Sequence, residues 1–147
     1  MEFLAGYGYA GLFVCAFLAA TLLPLGSEIV LSALLASDYN LFLLLAVATS
    51  GNVLGSLTNY IVGIRGGNWI MTNLFRLSAA EIKTAESRFR KYGNWILLLA
   101  WVPVVGDPLT VVAGILKTDV WTFIWLVTVG KFLRYLVVAV TFIKIWS

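Results

Sequence analysis

Polar residues interrupt this chain in few places, and the lengths of apolar sequence between them predict its elements. Leu41 to Ile64 gives 24 uncharged residues, enough for one helix to cross the roughly 30 Å hydrocarbon core of a membrane. Val120 to Ile143 is a second crossing of the same length, although it carries Lys131 and Arg134. Two other apolar stretches are too short to cross. Trp95 to Val102 separates Asn94 from Pro103 by eight residues, about 12 Å of helix. Ile29 to Ala36 is closed by Ser37, Asp38 and Asn40. Segments of this length dip into a membrane and return. Phe3 to Leu23, which runs into Pro24, is long enough to span alone. Its later half, Val14 to Leu23, could instead form one arm of such a dip.

The same pattern occurs twice. Sliding the sequence by 79 positions without a gap lays Pro24 on Pro103, Glu28 on Asp107, Thr49 on Thr128 and Gly51 on Gly130. Apolar residue falls on apolar residue between these anchors. The chain therefore reads as one membrane domain, 1–147, built from two repeats of about 9–64 and 94–146 with a connecting stretch, 65–93. Each repeat is a helical hairpin broken near Pro24 or near Pro103, Gly106 and Pro108, followed by one crossing. One crossing per repeat is an odd number, so the copies sit in opposite orientations. The expected fold is all-α: an inverted repeat of re-entrant hairpins, the architecture of secondary transporters. Irregular backbone at that depth needs cover. So small a chain covers it poorly alone, and a homo-oligomer, with a dimer favoured, is expected.

The connecting stretch is the water-loving part. Arg65 to Gly93 holds six of the ten basic residues against Glu81 and Glu86, which places it in the cytoplasm by the positive-inside rule and both termini outside. Its latter part reads as a capped amphipathic helix. Ser78 and Glu81 form a capping box, Leu77 and Ile82 a staple, and Gly93 ends it. Ile82, Ala85, Phe89 and Tyr92 share a face that would rest on the membrane surface.

Composition agrees. At 61% hydrophobic, 12% charged and a mean hydropathy of +0.96, a soluble core of this size would expose too much apolar surface. Glu2 stands where a signal peptide would be basic. A single cysteine, Cys15, excludes a disulfide framework. The net charge of +3 is concentrated in the connecting stretch and gives no sign of nucleic-acid binding. No histidine is present, so proton chemistry falls to carboxylates or lysine. No nucleophile–base arrangement, metal cluster or phosphate loop is legible. The chain reads as neither an enzyme nor a metal or cofactor binder.

The chemistry converges at mid-depth. Gly51 and Gly130 lie about eleven residues into their crossings, and Asn52 and Lys131 follow them. Arg134 is one turn beyond Lys131 on the same face. Glu28 and Asp107, at the hairpin tips, approach the same layer. Each charge, isolated there, would cost roughly 2.5–3.5 kcal/mol, so the four are paired, hydrated or in use. One reading is a pair of salt bridges that lock hairpins to crossings. The other is a polar site for protons and an anionic group, with Tyr60 and Tyr135 beside it. Gly51, Gly55 and Gly130 permit close helix packing.

At ATLLPLGSE, GNVLGSLTNYIVG, RKYG, LLLAWVPVVGDPL and GKFLRY the sequence resembles the DedA (SNARE-associated, VTT-domain) membrane proteins, most closely their short bacterial YqaA-like branch. The resemblance implies two membrane-dipping hairpins in an inverted repeat in the inner membrane. It also implies movement of lipids across the bilayer, as a flippase or scramblase of polyprenyl-phosphate or phospholipid type, often linked to the proton gradient. On that basis Glu28 corresponds to the family's first-hairpin acid, and Gly51, Gly55 and Tyr60 to its first-crossing pattern. The larger family carries arginines beside the second proline. Here no arginine lies between Arg90 and Arg134, so an anionic lipid phosphate would depend on Lys131 and Arg134. Three functions remain open: a transporter of an anionic lipid or small solute, a cation/proton antiporter, and a non-transporting membrane scaffold or assembly factor.

Overall fold

The computed structural model describes residues 2–21, 26–73, 78–102 and 105–147, with the backbone course alone for 2–5, 67, 68, 70 and 71. Pro24, Pro103 and the staple residue Leu77 lie outside the described residues. The described residues are helical with short connections. The α-helices are α1 (Glu2–Thr21), α2 (Ser27–Ala36), α3 (Leu41–Asn73), α4 (Ala79–Tyr92), α5 (Gly106–Ile115) and α6 (Val120–Trp146). A 3₁₀ helix, Gly93–Trp101, runs between α4 and α5.

The 79-residue offset reappears in these boundaries. Both ends of α5 fall 79 positions after those of α2, and the start of α6 falls 79 after that of α3. The helix starts are set by equivalent caps. Asn40 Oδ1 accepts the Leu43 N–H at 3.1 Å, and Asp119 Oδ2 accepts the Thr122 N–H at 3.0 Å. Each cap satisfies one of the four N–H groups a helix leaves unpaired at its start.

Two helices, Leu41–Gly66 within α3 and Val120–Trp146, are long and apolar enough to cross a membrane. They run antiparallel. The start of α3 meets the end of α6 around a groove that includes Leu41 and Trp146. Asn52 bonds to Tyr135 mid-way, and the Tyr60 ring packs on Phe123 toward the α6 start.

Four details differ from the sequence reading. α1 is one continuous 20-residue helix, about 30 Å long, rather than a short arm from Val14. α3 continues for 33 residues, past Arg65, so the first part of the connecting stretch is helical. Trp95 to Trp101 belongs to the nine-residue 3₁₀ helix Gly93–Trp101, whose larger rise takes it about 18 Å, still short of a crossing. Finally, α4 keeps its capping box, with Ser78 Oγ accepting from Glu81 N–H at 3.1 Å and Glu81 Oε2 from Ser78 N–H at 3.2 Å. Its apolar face, however, packs on protein. Ala85 and Phe89 are buried with Ile96, Leu97 and Leu109, while Tyr92 is exposed under the Lys91 ammonium.

Glycines set the closest helix approaches. A Cβ on Gly51 would stand 2.5 Å from the Phe13 carbonyl oxygen, one on Gly55 2.6 Å from that of Phe17, and one on Gly130 2.7 Å from that of Leu98. Gly63 and Gly114 face each other, each against the partner helix's carbonyls. This is the small-residue packing expected where lipid gives no hydrophobic drive between helices. The core lies in two clusters. One joins α4, the 3₁₀ helix, α5 and the early part of α6. The other joins Leu12, Leu31, Leu44, Leu45, Ala48, Tyr135 and Ala139.

Candidate functional site

Glu28 and Asp107 both stand in the first turn of a short helix, α2 and α5 respectively. The helix dipole favours an anion there. Gly106 and Pro108 belong to that first turn as well, where proline is tolerated because its missing N–H had no partner. They open α5 rather than interrupt a helix. Both acids meet cations of α6. The Arg134 guanidinium donates to Glu28 Oε1. Lys131 Nζ lies 3.7 Å from Asp107 Oδ1. Arg134 also acts electrically on Asp107, and Glu28 on Lys131, so the two pairs form one cluster of four charges.

The pairs differ in their surroundings. The Lys131 side chain is 2% exposed and that of Asp107 32%. Arg134 and Glu28 are 16% and 22% exposed, and both line a groove of about 500 Å³ with Trp101, Leu133, Val137 and Val138. The groove thus has one charged end and an otherwise apolar wall.

A hydrogen-bonded thread leads inward from Glu28. Ser27 Oγ donates to Glu28 Oε2 at 3.4 Å and lies 3.0 Å from the fully buried Tyr135 hydroxyl. That hydroxyl accepts from Asn52 Nδ2, also at 3.0 Å. Asn52 and Tyr135 thus stand beside the charges. Tyr60 does not: its hydroxyl donates to the Thr118 carbonyl, and its ring packs 4.6 Å from that of Phe123. Ser27 was not among the sequence candidates. Its only sequence signal is a small polar residue beside Glu28, which a helix cap explains equally well. Among the described residues no group of three or more metal-ligating side chains gathers.

Residues 23–144 match the model of the VTT domain. The chain belongs to the VTT-domain, or DedA, family. It is 40% identical over 131 residues to inner membrane protein YqaA of Escherichia coli, covering 87% of this chain and 86% of that one. It is 37% identical over 134 residues to an uncharacterized protein of Haemophilus influenzae, covering 84% and 80%. A more distant relative, 27% identical over 146 residues and covering 88% and 70%, is undecaprenyl phosphate transporter A of Staphylococcus aureus. No solved structure matches. This family member is a multi-pass protein of the bacterial inner membrane, with a membrane-transport or lipid-related role in general.

Proposed function

We propose that this VTT-domain protein moves an anionic, phosphate-headed lipid across the inner membrane, with a proton exchanged at its carboxylates. The observation that carries this reading is the groove in which an arginine–carboxylate pair meets an apolar wall. A phosphate headgroup would take Arg134 from Glu28, because a guanidinium offers phosphate the same two-pronged geometry it offers a carboxylate. The tail would lie along Leu133, Val137 and Val138, and its remainder would stay in the bilayer. Glu28, deprived of its cation, is then the group that takes up the proton. Headgroup release would reverse both steps. The distant undecaprenyl phosphate transporter agrees with this substrate class.

The reading includes two membrane-dipping hairpins in an inverted repeat. Its support is the 79-residue offset in helix boundaries, the antiparallel α3 and α6, and the shortness of α2 and α5. Exposed Trp95, Trp121 and Trp125 beside Asn94 suit an aromatic belt at the membrane surface. Membrane lipids are then the partners, and a homodimer would give the short hairpins further cover.

Arg134→Ala decides the matter. In vesicles carrying a fluorescent polyprenyl phosphate, transport should fall at least about tenfold, the worth of one charge-assisted hydrogen bond. Arg134→Lys, which keeps the charge and loses the fork, should fall between the two. Transport by Arg134→Ala at the parental rate would overturn the proposal. The pairing of both acids favours a second reading, in which they are structural locks. It takes first place if Glu28→Gln transports with an unchanged pH profile.

A further inference from the structure

One face of α3 carries polar side chains in the protein's interior that the proposed mechanism does not use. Thr49, Asn52, Ser56 and Asn59 are spaced three, four and three residues apart, and each is at least nine-tenths buried. Their donors are partly engaged. Asn52 Nδ2 donates to Ala16 O and to Tyr135 Oη, both at 3.0 Å. Asn59 Nδ2 donates to Ala20 O at 2.9 Å and to Thr110 Oγ1 at 3.1 Å. Only an amide nitrogen can donate to a carbonyl, which fixes how both amides are oriented. Their carbonyl oxygens, with Thr49 Oγ1 and Ser56 Oγ, have no hydrogen-bond partner among the described residues. Four such atoms on one stripe are unusual, because a buried polar atom without a partner is destabilising and rare in native cores. The equivalent positions of α6 hold Thr128, Lys131, Tyr135 and Val138, of which Lys131 and Tyr135 have partners.

Hydrogen bonds connect the stripe to both helices that carry an acid. At its Asn52 end, Tyr135 and Ser27 lead to Glu28. At its Asn59 end, Thr110 Oγ1 donates to the backbone carbonyl of Asp107 at 2.7 Å. The oxygens without partners are spread over about 15 Å of helix. They cannot surround one cation, whose ligands all lie within about 2.6 Å of it. Neighbours on the stripe, however, have Cβ atoms about 5–6 Å apart, a gap one water bridges with two hydrogen bonds.

We propose that the α3 stripe is a water file that carries protons between Glu28 and Asp107. It is sealed by α1 in the conformation described and fills when α1 and α3 part. Each water accepts a proton from one side and passes another on, so only protons are displaced. Ser56 is the central step, with Asn52 and Asn59 flanking it. The charged and titratable groups that face the path are Glu28 from α2, Asp107 from α5, and Lys131, Arg134 and Tyr135 from α6. The inference rests on the proton-coupled reading above, and its test uses no transported lipid, so the two can fail separately.

Replacing the native thiol by Cys15→Ala gives a background for Ser56→Cys, a nearly isosteric change. In vesicles, a small hydrophilic methanethiosulfonate should modify Ser56→Cys at least about tenfold faster than Val127→Cys, a residue of the dry core, as a preference for water over hydrocarbon requires. Equal rates overturn the file. A second measurement isolates the hydroxyl. Ser56→Thr and Ser56→Val have the same shape and share any packing cost. Under an imposed pH gradient, proton flux through the threonine variant should exceed that through the valine variant by about tenfold, the effect of one hydrogen bond. Equal flux through both also overturns the proposal.

Discussion

The short helices α2 and α5 lie 79 residues apart in the chain, yet the protein buries them very differently. Eight of the ten residues of α5 are buried, against Ser27 and Leu31 in α2. The cause is local. Gly114 of α5 meets Gly63 of α3 at backbone contact, and Gly106 admits the Ala100 carbonyl. The residues of α2 at these positions are Leu35 and Ser27, so no comparable backbone approach is available. The same division runs through the charges. Asp107 pairs with a lysine sealed in the core, whereas Glu28 pairs with an arginine at the wall of an open groove. Packing therefore gives the two acids different surroundings: α5 is held in the core, and α2 borders the open groove.

The largest effect that would test this contrast is on stability. Removing one partner of a buried ion pair costs about 3–5 kcal/mol, because the other charge is left without compensation. Lys131 is the more deeply buried partner, so Asp107→Asn, which strands it, should destabilise more than Lys131→Met. The double variant should recover most of the loss, as apolar replacement of buried pairs generally does. Denaturation in detergent measures this. If Asp107→Asn unfolds like the parent, α5 is no anchor.

Gly114→Ala comes next. The added methyl would collide with the Tyr60 carbonyl, and the backbones must separate or the helices shift, at about 1–3 kcal/mol. Truncating the equivalent Leu35 to alanine, on the half-buried helix, should cost less. The reverse order, read from thermal unfolding of both variants, would remove the packing explanation.

How much of this was legible in the sequence follows from what sequence records. The apolar lengths set the starts of α3 and α6, where Asn40 and Asp119 cap the helix; α2 begins at Ser27, two residues before the apolar run from Ile29, and neither α2 nor α5 has a side-chain cap. Lys131 and Arg134 were legible as the deep cations. Which acid each would meet was not, since both lie on one helix and the choice depends on how α2 and α5 pack. The 3₁₀ form of Gly93–Trp101 left no trace, because nothing in GNWILLLAW distinguishes it from an α-helix. The continuous α1 was obscured because the repeat suggested a shorter arm. The partnerless oxygens of α3 were not legible, since hydrogen-bond satisfaction is a property of the neighbours.

Glu28→Gln probes the open side of the comparison. The cation it strands, Arg134, is more exposed than Lys131, so losing this pair should destabilise less than Asp107→Asn does. Its effect should instead be on transport, which should lose its pH dependence while the protein stays folded in vesicles. A stability loss as large as that of Asp107→Asn would place both acids in one structural role and erase the distinction between α2 and α5.

The smallest expected effect concerns the caps, where the repeats differ by one titratable group. Asn40 and Asp119 hold equivalent positions and accept equivalent N–H bonds, from Leu43 and Thr122. Asp119, just outside the span of α6, also accepts the Thr122 hydroxyl at 3.1 Å. The backbone and side-chain bonds from Thr122 hold its carboxyl below the ordinary value of 3.8. A depressed carboxyl stabilises the helix start above its unfolded pKa, and that stabilisation is lost as pH falls through the lower folded value. The neutral Asn40 cap has no such response. In an acid titration followed by amide NMR, the Thr122 N–H should therefore shift with a midpoint below 3.8, and the Leu43 N–H should not follow it. Asp119→Asn should abolish the Thr122 response and leave α6 capped as α3 is. A Thr122 amide indifferent to acid, or one that shifts together with Leu43, would mean that the charge at this cap contributes nothing of its own.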